Sequence, residues 1–137
     1  WYSPGGYPSW HSGTDIGVSR GTQVMAAASG KVVTALTVTN DPNGPYTSGG
    51  YKDHSFTAAN GYGYGNYIMI DHGVGSDGNR LYTLYGHLSS VAVSPGQTVS
   101  QGQIIGYSGN TGNSYGAHLH FEVRVNGSAV DPMSYFN

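Results

Sequence analysis

No cysteine occurs in the 137 residues. That excludes disulfide staples, Cys-type zinc sites and thiol nucleophiles together, and it leaves the redox compartment open. Charge is scarce as well. Asp, Glu, Lys and Arg make up 9% of the chain, against roughly 25% in an average soluble domain. Lys and Arg total 5, the formal net charge is −2, and no basic run occurs. A nucleic-acid-binding surface needs clustered Lys and Arg, so no nucleic-acid partner is expected. No apolar run approaches the ~18–20 residues of a membrane-spanning helix, so no membrane partner is expected either. The opening segment WYSPGGYPSW has neither the basic region nor the apolar stretch of a secretory signal peptide. The chain reads as a mature enzyme or as a domain cut from a longer protein.

What fills the gap is small or phenolic. Gly occurs 23 times and Tyr 12 times, with Ser, Thr and Asn abundant. The length suits one domain, 1–137, with a core of its own. No stretch sustains the i, i+3, i+4, i+7 apolar spacing of a helix. Strand signals are better. TQVMAAA passes through Ser29-Gly30 into KVVTALTVT, which is rich in β-branched residues. NYIMIDHG and LYTLYGHL flank VGSDGNR and read as a hairpin with Asp-Gly chemistry in its turn. TVSQGQIIGYSG and HLHFEVRVNG complete the set. Short strands separated by turn residues indicate an all-β fold. Residues 1–10 read as an irregular lead-in. Residues 40–65 form a long Gly-, Asn- and Tyr-rich connection, and connections of that length in compact domains are usually functional or disordered. Its aromatics (Tyr46, Tyr51, Phe56, Tyr62 and Tyr64) favour an ordered loop that lines something.

Six histidines occur, and four of them stand beside Gly or Asp or at strand edges: His11, His87, His118 and His120. In GAHLHFEV, residues i and i+2 of a strand share a face. His118 and His120 therefore project together, while Leu119, Phe121 and Val123 point to the core. A shared metal site, with one ring a ligand and its neighbour a base, would organise such a pair. In HSGTDIG, His11 and Asp15 can converge on one ion if the chain between them turns or bulges. Two His and one Asp with a position left open is the donor set of catalytic rather than structural zinc. A pair of surface histidines on a strand, and a chance H-x-x-x-D, are the alternatives.

The ordered stretches HSGTDIGVSRGTQVMAAASGKVV, GYGNYIMIDHG, LYTLYGHLS, GQTVSQGQIIGYSGNTGNSYGAHLHFEV and VDPMSYF resemble the lysostaphin-like zinc endopeptidases, peptidase family M23, over nearly the whole length. The resemblance implies a compact antiparallel β-sheet core with long loops walling a substrate groove. It implies one zinc per chain, held by His11, Asp15 and His120, with His118 and His87 as the catalytic histidines. The implied reaction is hydrolysis of peptide bonds in the stem peptides or cross-bridges of bacterial peptidoglycan, by attack of a zinc-bound water with a histidine as general base. His118, next to ligand His120, is assigned as that base. His87 is assigned to orienting the water and stabilising the oxyanion. Tyr7 is a further candidate donor to the oxyanion, or else packs on the groove wall.

Glu122 follows the H-x-H on the same strand face. It is either a partner behind a metal ligand or a structural or solvated carboxylate. His72 is expected to be structural or exposed, and His54, in the long loop, to meet solvent or substrate. Residues 40–65 and 107–117 are the expected specificity loops, because substrates rich in Gly and D-residues offer little side chain to grip. The domain is expected to act as a monomer and outside the cell, on the wall, whether secreted, released as a bacteriocin or delivered by phage. Among the possible bonds a cross-bridge is favoured over the direct cross-link, and a carboxypeptidase or amidase on the same zinc chemistry is the rival reading.

Overall fold

The computed structural model describes residues 14–42, 44, 61–112 and 116–130. Among them there is no helix, as the missing 3.6-residue period requires. The strands are β1 (Thr14–Ile16), β2 (Gln23–Met25), β3 (Gly30–Leu36), β4 (Asn66–Val74), β5 (Arg80–Val91), β6 (Thr98–Val99), β7 (Ile104–Ser108), β8 (Leu119–Val125) and β9 (Ser128–Val130). All pairings are antiparallel and join them into one sheet. The main path runs β1-β8-β5-β4-β3-β6; β7 joins β5 to β2, and β9 joins β8. The β4–β5 hairpin forms across residues 75–79, where Gly78 sits at φ 82, a backbone state that favours glycine.

Two strands escape the sequence reading. Thr14–Ile16 and Ser128–Val130 are each three residues long, too short to show an alternation. Asp15 lies on β1, and Ser12 and Gly13, between it and His11, lie outside the described residues.

β5 organises the sheet. Its first half pairs with β8 from Leu81↔Val125 to Gly86↔His120. Its second half pairs with β7 from Leu88↔Ser108 to Val91↔Gly106. Where it changes partners it bulges: Asn66 faces Leu88, but Ile68 faces Tyr85, so Gly86 and His87 together oppose one residue of β4. His87 takes φ 59, the left-handed region that few non-glycine residues adopt. Bulges of this kind re-aim side chains beside functional sites.

The core lies under one face of the sheet. Val24, Val32, Ile68, Ile70, Tyr85, Leu88, Val99 and Ile105 are almost fully buried, and Leu119 and Phe121 pack against them. Each such side chain contributes about 1.5–3 kcal/mol on burial. Leu119 and Phe121 are thus the inward residues of β8, as the alternation in HLHFEV requires, and the histidines stand on the opposite face.

Candidate active site

The site begins with a register. β1 and β8 pair so that Asp15 lies directly across from His120. Asp15 Oδ1 is 2.9 Å from His120 Nδ1 and 3.4 Å from His118 Nε2. The ring of His87 lies 4.8 Å from that of His118 and 5.7 Å from that of His120, centroid to centroid. Four residues separated by up to 105 positions therefore meet on one face of the sheet. Exposure grades across them. The His120 side chain is 6% exposed, that of His118 18% and that of Asp15 24%, so the cluster opens on the Asp15–His118 side.

Carbonyl acceptors settle which nitrogens of two rings carry protons, because a carbonyl can only accept. His87 Nδ1–H donates to the Thr111 carbonyl at 2.6 Å. His118 Nδ1–H donates to the Gly116 carbonyl at 2.6 Å. That leaves Nε2 as the second nitrogen of each ring, and in His118 it lies 3.4 Å from Asp15 Oδ1. His120 is turned the other way. Its Nε2–H donates to Glu122 Oε1 at 2.9 Å, and its Nδ1 faces Asp15.

Charge follows contact. Burial by itself would raise the Asp15 pKa, but hydrogen bonds to His118 and His120 outweigh it and hold the carboxyl well below the usual range. His120 is buried too, which disfavours its charge. Hydrogen bonds from Asp15 and Glu122 prevail and raise its pKa to about 9. His87 is lowered to about 3, by burial first and then by the charges on His120 and His118. It is a neutral imidazole at neutral pH.

Glu122 is not solvated. It is fully buried and bonded to His120, Tyr64 and Arg124. Tyr64 and Arg124 are site residues that sequence reasoning missed. The only signal was Tyr64's place among the aromatics of the long loop. His72 is structural: its ring bridges the Ser29 carbonyl at 2.8 Å and the Thr83 hydroxyl at 2.7 Å. His11, Tyr7 and His54 lie outside the described residues.

Two oxygen and nitrogen donors, Asp15 Oδ1 and His120 Nδ1, converge with the far nitrogen of His120 already engaged. That is chemistry a borderline cation such as zinc accepts. Among the described residues no group of three or more His, Asp or Glu side chains is assembled as a metal cage; the third expected donor is His11.

The two expected specificity loops meet at their described ends. Asn110 N–H donates to the Pro42 carbonyl at 2.8 Å and Gly112 N–H to the Gly44 carbonyl at 2.9 Å. Asn66, at the close of the 40–65 connection, is buried and fully used. Its Nδ2 donates to the Thr39 and Leu88 carbonyls, and its Oδ1 accepts from Val38 and Thr39 N–H.

Residues 9–132 match the model of Peptidase family M23. The chain belongs to that family. The M23 chain is 35% identical to the solved catalytic domain of the antimicrobial peptidase lysostaphin from Staphylococcus simulans. That alignment covers 98% of this chain and 89% of the other, with a TM-score of 0.68. A zinc-containing peptidase of Vibrio cholerae is 32% identical over 94% of this chain and 31% of its own, with a TM-score of 0.64. The peptidoglycan DD-endopeptidase ShyA of Vibrio cholerae is 39% identical over 90% of this chain and 22% of its own length. The M23 chain thus spans about a fifth of the length of several curated relatives it matches. Its all-β antiparallel architecture is that of the lysostaphin catalytic domain.

Proposed function

We propose that this M23 domain is a zinc-dependent endopeptidase that hydrolyses peptide bonds in the stem peptides or cross-bridges of bacterial peptidoglycan. The observation that carries the reading is the register of β1 on β8, which sets Asp15 against His120 beside the rings of His87 and His118. The names of its relatives, a peptidoglycan DD-endopeptidase and lysostaphin, supply the substrate class.

In this reading Asp15, His120 and His11 hold one zinc per chain. Zinc bound there supplies Lewis acidity to the scissile carbonyl and brings water ionisation to near neutral pH. His118 takes the proton of the attacking water at Nε2 and returns it to the leaving amine. Its Nδ1 anchor on Gly116 keeps Nε2 aimed at the site through both transfers. His87 orients the water by accepting its hydrogen bond at Nε2. Its one N–H is spent on Thr111, and burial opposes a second, so donation to an oxyanion falls to another group. Tyr7 is the proposed donor. The enzyme is proposed to act as a monomer. The wall substrate places its action outside the membrane, as a secreted, bacteriocin or phage-delivered activity. The bond favoured is one in a cross-bridge, read by the joined loops at 40–65 and 107–117.

Mass spectrometry of purified walls after digestion tests this. New internal amino and carboxyl termini are expected, abolished by chelator and restored by zinc, and they name the bond. His118→Ala is expected to keep zinc and lose at least ~100-fold in rate. Release of terminal D-alanine alone would make the enzyme a carboxypeptidase. Walls left intact by the zinc-loaded chain would overturn the reading.

A further inference from the structure

The strand face that carries His118 and His120 continues through Glu122 to Arg124. Glu122 uses both edges of its carboxylate. Oε1 accepts from His120 Nε2–H at 2.9 Å and from the Tyr64 hydroxyl at 2.6 Å. Oε2 accepts from Arg124 Nε–H at 2.8 Å. Arg124 Nη2 donates to the Tyr64 oxygen at 3.0 Å, which closes a ring of three side chains around the buried carboxylate. Burial works against the Arg124 charge, but Glu122 outweighs it and raises the guanidinium pKa.

Only a carboxylate satisfies this place. Donors face both of its edges, and an ionised carboxyl is acceptor-only. An amide offers one oxygen, so it would set its NH2 against either the His120 or the Arg124 donor. The effect on His120 is directional. With Nε2–H engaged by Glu122, the nitrogen turned toward Asp15 is Nδ1. A flip of the ring would lose both contacts.

We propose that Glu122 is the positioning residue of His120, setting ring orientation and tautomer so that Nδ1 is the nitrogen offered to zinc, with Tyr64 and Arg124 holding Glu122 in place. This rests on the zinc reading above. Tyr64 extends the device to a second histidine. Its carbonyl accepts the His87 backbone N–H at 2.7 Å, and its ring lies 5.5 Å from the His120 ring. Gly86 makes room for that ring: a Cβ there would stand 3.3 Å from Tyr64 Cδ1. One tyrosine thus sets the backbone of His87 and, through Glu122, the ring of His120.

The test is zinc affinity of the purified chain by competition with a fluorescent chelator, with the unfolding midpoint of each metal-free protein as a control. Glu122→Gln is expected to weaken zinc binding by about 10- to 100-fold. Tyr64→Phe keeps the ring packing and is expected to weaken it several-fold with little change in the metal-free midpoint. Asp15→Ala is expected to abolish binding. If Glu122→Gln and Tyr64→Phe bind zinc within twofold of wild type while Asp15→Ala does not bind, the positioning role is wrong and the zinc site stands. If wild type binds no zinc, or Asp15→Ala binds it normally, the zinc reading fails and takes this proposal with it. Should Glu122→Gln not fold, Tyr64→Phe decides. Imidazole nitrogen NMR of the zinc-loaded wild type gives an independent answer: a proton on His120 Nε2 supports the proposal, and a proton on Nδ1 overturns it.

Discussion

His87 and His120 lie with their rings 5.7 Å apart yet differ in charge, and their immediate contacts explain it. His87 is buried against a carbonyl with no carboxylate in hydrogen-bond contact, and its pKa falls to about 3. His120 lies between two carboxylates and rises to about 9. Each shift has a sign that solution work can check. For His87 the folded pKa lies below the ordinary 6.5, so the unfolded chain takes up the proton first. Its contribution to stability is whole above about pH 6.5 and is lost as pH falls toward 3. Urea unfolding of His87→Asn is expected to show a shallower loss between pH 7 and 4 than wild type. Equal slopes would assign the acid sensitivity elsewhere. For metal-free His120 the sign reverses. Its stabilisation is whole below pH 6.5 and is lost as pH rises through about 9. In the zinc reading the Nδ1 proton occupies the donor that the metal needs. Zinc affinity should therefore climb with pH and level off near 9, with about one proton released per zinc at neutral pH. Calorimetry in buffers of different ionisation enthalpy counts that proton, and a count of zero would refute the assignment.

At the scale of elements, the site depends on where backbones approach closely. The 61–65 turn and the loop at Thr111–Gly112 touch main chain to main chain. A Cβ on Gly65, at φ +67, would lie 2.3 Å from Thr111 Oγ1 and 2.5 Å from Gly112 N. Those two segments also hold His87, through the Tyr64 and Thr111 carbonyls. Gly65→Ala is expected to cost about 2–4 kcal/mol in stability, from backbone strain and overpacking together. It should also lower the rate of the folded fraction, because the His87 ring loses its seat. Denaturant titration and activity per folded molecule measure the two effects separately. A cost below about 0.5 kcal/mol, typical of a surface substitution, would mean the loops are not packed this way. β8 shows how much an element reveals in advance. Its alternation is legible because Leu119 and Phe121 are apolar and His118 and His120 polar. β1 is not legible, because three residues cannot display a period and its strand form is imposed by pairing with β8.

For the molecule as a whole, zinc should link the site to folding. A ligand that binds only the folded chain adds about 2.7 kcal/mol when its free concentration is 100 times Kd. For a domain of this size that is a rise of about 8 °C in Tm. Chelator should remove the rise and added zinc restore it in differential scanning calorimetry. An unchanged Tm at saturating zinc would argue that no zinc site forms on folding. The fold class was legible in the chain's missing helical periods and present alternations, and so was the H-x-H pair on one strand face. The sequence, through its ordered motifs, was enough to point to the M23 family. It could not show that Asp15 stands across from His120, that a bulge swings His87 against them, or that Tyr64, Glu122 and Arg124 close a ring behind the site. Those facts belong to register, bulge and long-range contact, which depend on pairing between segments as much as 105 residues apart. A local pattern carries a period and a side-chain type; only the assembled sheet decides which residue of one strand meets which residue of another.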